Sequence, residues 1–176
     1  MKARYHFSTR IELSTPPEEV WETLAASEDW VDWWRWLREV EVLDEGREDG
    51  VGRRVRHVVS SPLRYRLSYA GLVTRVVEPV MSRFEAEGDL EGRGQFWLET
   101  TESGTTVLTL QWLVQTPKTW MNLLAPVGRP IFAWSHHRLM EDFGEGLARV
   151  TSGELYRVEN RSLDPDDESF FEMPSL

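Results

Sequence analysis

Two of the four histidines in this 176-residue chain stand where an imidazole could meet a ligand. His136 lies four residues after Phe132 and four before Met140, so on a helix all three share one stripe. His57 alternates in phase with Val55 and Val59, the period of a strand face, which sends Arg54 and Arg56 to the other side. Tyr65, Leu67 and Tyr69 keep the same phase against Arg64 and Arg66. An imidazole titrates near neutrality, so either histidine could orient a carbonyl or hydroxyl, or move a proton as general acid or base. The competing reading is a packed histidine bonded to a backbone carbonyl, since histidine is so often partly buried. His137 falls about 100° further round the helix, toward solvent, so the adjacent pair cannot share a metal. One strand bulge would swap the faces and move His57 outside.

A helix stripe and a strand face act together only if elements bring them into one cavity. Residues 5–13 alternate as a half-buried strand. Ser14 or Thr15 can cap a helix opened by Pro16 and Pro17, with Glu18 placed as a capping box requires. In the next segment Trp30, Trp33, Trp34 and Leu37 share one face of a helical wheel, opposite Glu28, Asp32 and Arg35. Trp36 falls between the faces, either a lip residue or a partly exposed structural tryptophan. Residues 40–43, 52–60, 63–77, 81–87, 95–101 and 105–115 read as an antiparallel succession, the third bending at Gly71. Trp97 and Trp112 read as core fillers there. The period then changes. A short helix spans 117–124, Pro126, Gly128 and Pro130 interrupt it, and a longer helix covers 130–151. Its inner stripe runs through Phe132, His136, Leu139, Met140, Phe143, Leu147 and Val150. This order predicts an α+β domain whose sheet wraps the terminal helix.

Composition bounds the rest. With 40% hydrophobic residues and nine Trp, one domain over 1–153 accounts for the chain, followed by an acidic tail over 154–176 that reads as solvated. The absence of Cys excludes disulfides and thiolate chemistry, and the missing apolar leader makes the cytoplasm the expected compartment. A net charge of −10 opposes nucleic acid and anionic bilayers, and no apolar run is long enough to insert in a membrane. Arginine supplies almost all the basic charge, which points to a bacterial, GC-rich source. Gly88, Gly92 and Gly94 occupy a strand-to-strand turn, unlike a dinucleotide fingerprint, and neither a nucleophile elbow nor an H-E-x-x-H pattern is present. Glu141 and Asp142 read as helix surface. The arginines at 53, 54, 56, 64 and 66 read as surface ion pairs.

Several stretches carry a family resemblance: PPEEVWETL at 16–24, the Trp-rich second helix, VG at 51–52, EGDLEGRG at 87–94, GTTV at 104–107, and Phe132, Trp134, His136, Met140, Gly146 and Leu147 in the last helix. Together they resemble the START-like helix-grip superfamily, in particular the polyketide cyclase/dehydrase and lipid-transport (SRPBCC) group. The resemblance implies a cavity between a curved antiparallel sheet and the long C-terminal helix. The expected lining is Trp33, Trp36, Val55, His57, Tyr65, Leu67, Tyr69 and Phe84 from the first part of the chain. Phe132, His136, Leu139, Met140 and Phe143 complete it from the last helix. No cofactor or metal is expected, and the protein would be a monomer or homodimer. Three functions follow: noncatalytic binding or transport of a small hydrophobic molecule such as an aromatic polyketide, quinone or lipid; a cyclase or dehydratase using His136 or His57; or an interaction module with a collapsed cavity.

Overall fold

The computed structural model describes residues 4–167, with the side chains of 119–128 outside that description. The chain runs β1 (Arg4–Leu13), α1 (Pro17–Ala25), a single 3-10 turn (Ser27–Asp29), α2 (Trp30–Trp33), β2 (Leu37–Asp44), β3 (Arg54–Ser60) and β4 (Arg66–Val77). It continues through β5 (Met81–Gly88), β6 (Glu91–Thr100), β7 (Thr106–Gln115), α3 (Thr119–Val150) and β8 (Leu155–Leu163). All eight strands form one antiparallel sheet in the order β2-β3-β4-β5-β6-β7-β1-β8. This is the helix-grip α+β fold: the sheet curves around α3.

Alternation dictates which residues meet α3. In β1 and β7 the inward phase carries Ile11, Leu13, Leu108 and Leu110, and these pack with Phe143 and Leu147 of α3 and with Val20, Trp21 and Leu24 of α1 in one buried cluster. The register then places Phe84, Gly94, Trp112 and Phe7 in one row across four strands. Gly94 is required there, because a Cβ would meet the Phe84 ring at 2.4 Å. Gly146 plays the same part in α3, where a Cβ would come within 2.7 Å of the Trp33 carbonyl oxygen. Close approach of α2 to α3 depends on that glycine.

Several local expectations change. Pro16 is the N-cap of α1 and no side chain caps it. Ser14 and Thr15 are committed elsewhere: the Glu154 amide donates to Ser14 Oγ, and Thr15 Oγ1 shares a hydrogen bond with Thr151 Oγ1, tying the start of α1 to the end of α3. The second helix stops at Trp33 and the chain turns extended at Trp34. That turn buries Trp33, Trp34 and Leu37 together and lets Trp34 Nε1 donate to the Leu139 carbonyl at 3.2 Å. Strand β4 breaks register between Val73 and Arg75, beyond Gly71. The expected interruptions between 124 and 130 are absent, and α3 is one helix. A proline removes a single intrahelical donor, which packing of the remaining turns outweighs.

The larger correction concerns the C-terminus. Residues 155–163, expected within a solvated tail, are strand β8, paired along the outer edge of β1. The register sets Glu159 opposite Arg10 and Arg157 opposite Glu12, so the acidic segment meets complementary charge across the strands. Phe170, Phe171 and Met173, at the end of the acidic stretch, lie outside the described residues. Arg54 pairs with Glu87, Arg56 pairs with Glu41 at 2.6 Å, and Asp166 pairs with Arg4 at 2.8 Å, near the opposite sheet edge. Among the described residues no helix is long and apolar enough to cross a membrane.

Candidate functional site

Between the concave sheet face and the helices lie two adjoining chambers. The wider has a volume of about 320 Å³ and the narrower about 130 Å³. Trp34, Tyr69, Trp112 and Met140 border both, one residue each from the α2 turn, β4, β7 and α3, and form a waist. The interior is therefore open rather than filled by its own side chains.

The wide chamber is mostly apolar, and Trp, Tyr and Phe rings form a large part of its wall. Phe84 and Trp112 meet edge to face at 4.9 Å, and Trp30 leans on Phe143 at 5.5 Å. Inward residues of β3 and β4 oppose one another, with Val55 across from Gly71 and His57 across from Tyr69. Gly71 leaves a gap in this wall, since a Cβ built there has no atom within 4 Å. The His57 ring lies between Tyr69, stacked at 5.4 Å, and Trp30 at 6.0 Å. Neither of its nitrogens makes a well-formed hydrogen bond. Burial drives its pKa down to about 4, with the Val55 backbone opposing and the Arg53 charge assisting, so the ring is neutral at pH 7. Arg53, in phase with Val55 and His57, enters the same chamber. Its Nη2 donates to Glu28 Oε2 at 2.6 Å and its Nη1 to the Ala25 carbonyl at 3.0 Å, while its Nε is buried without a partner. Exposed Glu48, Asp49 and Glu78 edge the mouth.

The narrow chamber is built around a flat stack. His136 lies on Phe7 with ring centroids 4.0 Å apart and planes within 12°. Burial drives its pKa down to about 3, helped by neighbouring His137, and its Nδ1 is buried without a partner. Tyr5 packs beside Phe7 and meets Phe132 edge to face, and its hydroxyl is also unpartnered. His137, expected to face solvent, is half-buried, because β8 crosses that side of α3 and Asn160 donates to the His137 carbonyl.

Of the expected lining, Val55, His57, Phe84 and Phe143 border the wide chamber, Tyr65, Leu67, Phe132, His136 and Leu139 the narrow one, and Tyr69 and Met140 both. Trp33 and Trp36 border neither. Trp33 is buried against Phe143 at 5.2 Å, deep in the core. Trp36 donates from Nε1 to Asp142 Oδ2 at 2.5 Å, and Arg35 binds the same oxygen at 2.7 Å. Asp142, read from sequence as helix surface, is thus a buried acceptor that fastens the α2 corner to α3. Trp97 turns to the outer face beside Glu99, while Trp112 faces in. Arg53, Trp30, Trp34 and Trp112 also line the wide chamber without having been singled out as ligand contacts. The two-residue phase from His57 back to Arg53 was the one available signal. Among the described residues no group of three or more His, Asp or Glu side chains could hold a metal.

The profile of the family described as polyketide cyclase / dehydrase and lipid transport matches residues 13–143. The chain belongs to this family. No curated protein matches it by sequence. Among solved structures it is similar to the Zhui aromatase/cyclase of Streptomyces, at 15% identity and a TM-score of 0.67 over 85% of this chain and 94% of that one. A Thermus thermophilus protein aligns at 19% identity and a TM-score of 0.64, covering 82% of this chain and 98% of that one. A START superfamily protein from Mycobacterium smegmatis gives 15%, 0.61, 84% and 97% for the same measures. Identities this low establish the shared fold and leave the chemistry to the chamber itself.

Proposed function

We propose that this protein binds one small, planar, hydrophobic molecule in the wide chamber and carries or holds it without converting it. The observation that supports this is a mostly apolar chamber of about 320 Å³, rich in aromatic side chains, whose facing histidine is neutral. That volume falls at the lower end of the usual range for small-molecule sites. A ligand burying roughly 250 Å² of apolar surface would gain about 6 kcal/mol before ordering costs, enough for useful affinity.

A cyclase or dehydratase is the second reading, favoured by a buried His57 ring whose nitrogens make no well-formed hydrogen bond. A group with a pKa near 4 is a weak general base at neutral pH, so the binding reading stands first.

The test is titration of the purified protein with naphthalene, followed by tryptophan emission and by equilibrium dialysis. Saturable one-to-one binding is the expected result. Failure to saturate would overturn the assignment, and chemical turnover of a carbonyl-bearing substrate would move the protein to the second reading.

A further inference from the structure

The wide chamber holds two buried polar groups that the protein satisfies only in part. Arg53 and His57 lie four residues apart with inward phase, separated by Val55, so they stand along one side of the chamber with an apolar step between them. Arg53 cannot swing away, because two of its nitrogens are fixed by Glu28 and Ala25; its remaining Nε–H is buried without an acceptor. His57 is held between Trp30 and Tyr69, and neither ring nitrogen makes a well-formed hydrogen bond, the Val55 backbone being its nearest polar influence. Buried donors left unpaired are unfavourable and rare in folded proteins, and two beside one cavity call for a common explanation. Opposite Val55, the gap at Gly71 leaves room for a flat body against the wall. Charge narrows the choice further. Glu28 already neutralises Arg53 and Arg47 pairs with Asp49 at 2.7 Å, while Glu48 and Glu78 stand at the mouth, so an incoming carboxylate meets net negative charge.

We propose that Arg53 and His57 form a polar subsite for an uncharged, planar ligand bearing hydroxyl or carbonyl oxygen along one edge, and that the acidic mouth discriminates against carboxylates of the same size. Arg53 Nε–H donates to one ligand oxygen. Neutral His57 offers one donor and one acceptor, so it pairs with either a carbonyl or a hydroxyl. A small shift of the half-buried Trp30 ring uncovers the imidazole edge for this contact.

This inference rests on the binding reading above, and three probes separate the two. Equilibrium dialysis at pH 7 against naphthalene, 2-naphthol and 2-naphthoate compares one ring system with no oxygen, a neutral oxygen and a charged carboxylate. The parent should hold 2-naphthol about tenfold more tightly than naphthalene and 2-naphthoate more weakly than either. Arg53→Lys keeps the charge beside Glu28 but removes the Nε–H, and should bring 2-naphthol close to naphthalene. Glu48→Gln with Glu78→Gln should recover 2-naphthoate binding. Equal affinity for naphthalene and 2-naphthol, a preference for 2-naphthoate, or an unchanged ratio in Arg53→Lys would overturn the subsite while leaving apolar binding in place. If none of the three binds, the chamber reading itself fails and the subsite with it.

Discussion

The two chambers share four wall residues yet treat a histidine in opposite ways. In the narrow chamber His136 lies flat on Phe7, 4.0 Å away, as part of the wall. In the wide chamber His57 sits between rings 5.4 and 6.0 Å away, beside the gap at Gly71 and the fixed guanidinium of Arg53. Both imidazoles are neutral because burial disfavours their charge. Protonation state therefore does not separate a packing histidine from a recognition histidine. The surrounding space and the neighbouring donors do.

The sharpest way to break this comparison is to fill one chamber at a time. Gly71 lies in regular β4 with no atom near its missing Cβ, so Gly71→Phe should project into the wide chamber without strain and remove a flexible strand glycine. Naphthalene binding should fall about a thousandfold, or roughly 4 kcal/mol, with thermal stability unchanged or raised. Leu67→Phe, in the narrow chamber, should leave binding within about twofold. Equal losses in both variants would mean that the ligand spans the waist.

Acid titration should show where the two histidines are alike. An unfolded histidine titrates near 6.5, whereas His57 and His136 are held at about 4 and about 3. Between those values the unfolded chain binds protons that the folded chain does not. Stability is therefore greatest above pH 6.5 and declines as pH falls, by up to about 1.4 kcal/mol per pH unit for each group, levelling off once the folded-state pKa is passed. His57→Leu and His136→Leu should each flatten that decline by a similar amount in urea melts run from pH 7 to pH 4. A parent with no pH dependence in that window would contradict the burial of both rings.

At pH 7 the same variants should diverge. His136→Leu loses a face-to-face stack and should cost about 1 to 3 kcal/mol. His57→Leu removes two buried nitrogens without a well-formed hydrogen bond, which offsets the lost ring contacts, and should stay within about 0.5 kcal/mol of the parent. A larger loss at His57 would make it the structural member of the pair.

What was legible in sequence follows the same division. A period of two placed Val55, His57 and Tyr69 on the wall, and a period near four placed Phe132, His136, Met140 and Phe143 on α3, because periodicity directly records which face is buried. Arg53 was hidden by its type. An arginine reads as surface until Glu28, 25 residues earlier, is seen to anchor it inside. Trp36 and Asp142 were misread because their hydrogen bond joins residues 106 apart, a contact no local pattern encodes. Strand β8 was hidden by net charge, although the opposed order of Arg10 and Glu12 against Arg157 and Glu159 could have suggested the pairing.

The smallest expected effect gives the finest test of the narrow chamber. The Tyr5 hydroxyl is buried without a partner, and burial holds its pKa above the ordinary phenol value, partly countered by Arg129. Tyr5→Phe keeps the ring beside Phe7 and against Phe132 while deleting only that oxygen. If the narrow chamber is wall and filler, removing an unsatisfied hydroxyl should be neutral or stabilising by up to about 1 kcal/mol, with 2-naphthol affinity unchanged. Should the variant instead weaken 2-naphthol while sparing naphthalene, the ligand oxygen sits beside Tyr5 and His136, and recognition belongs to the narrow chamber. Paired with Arg53→Lys, this single-atom deletion decides which end of the cavity reads the polar edge of a ligand.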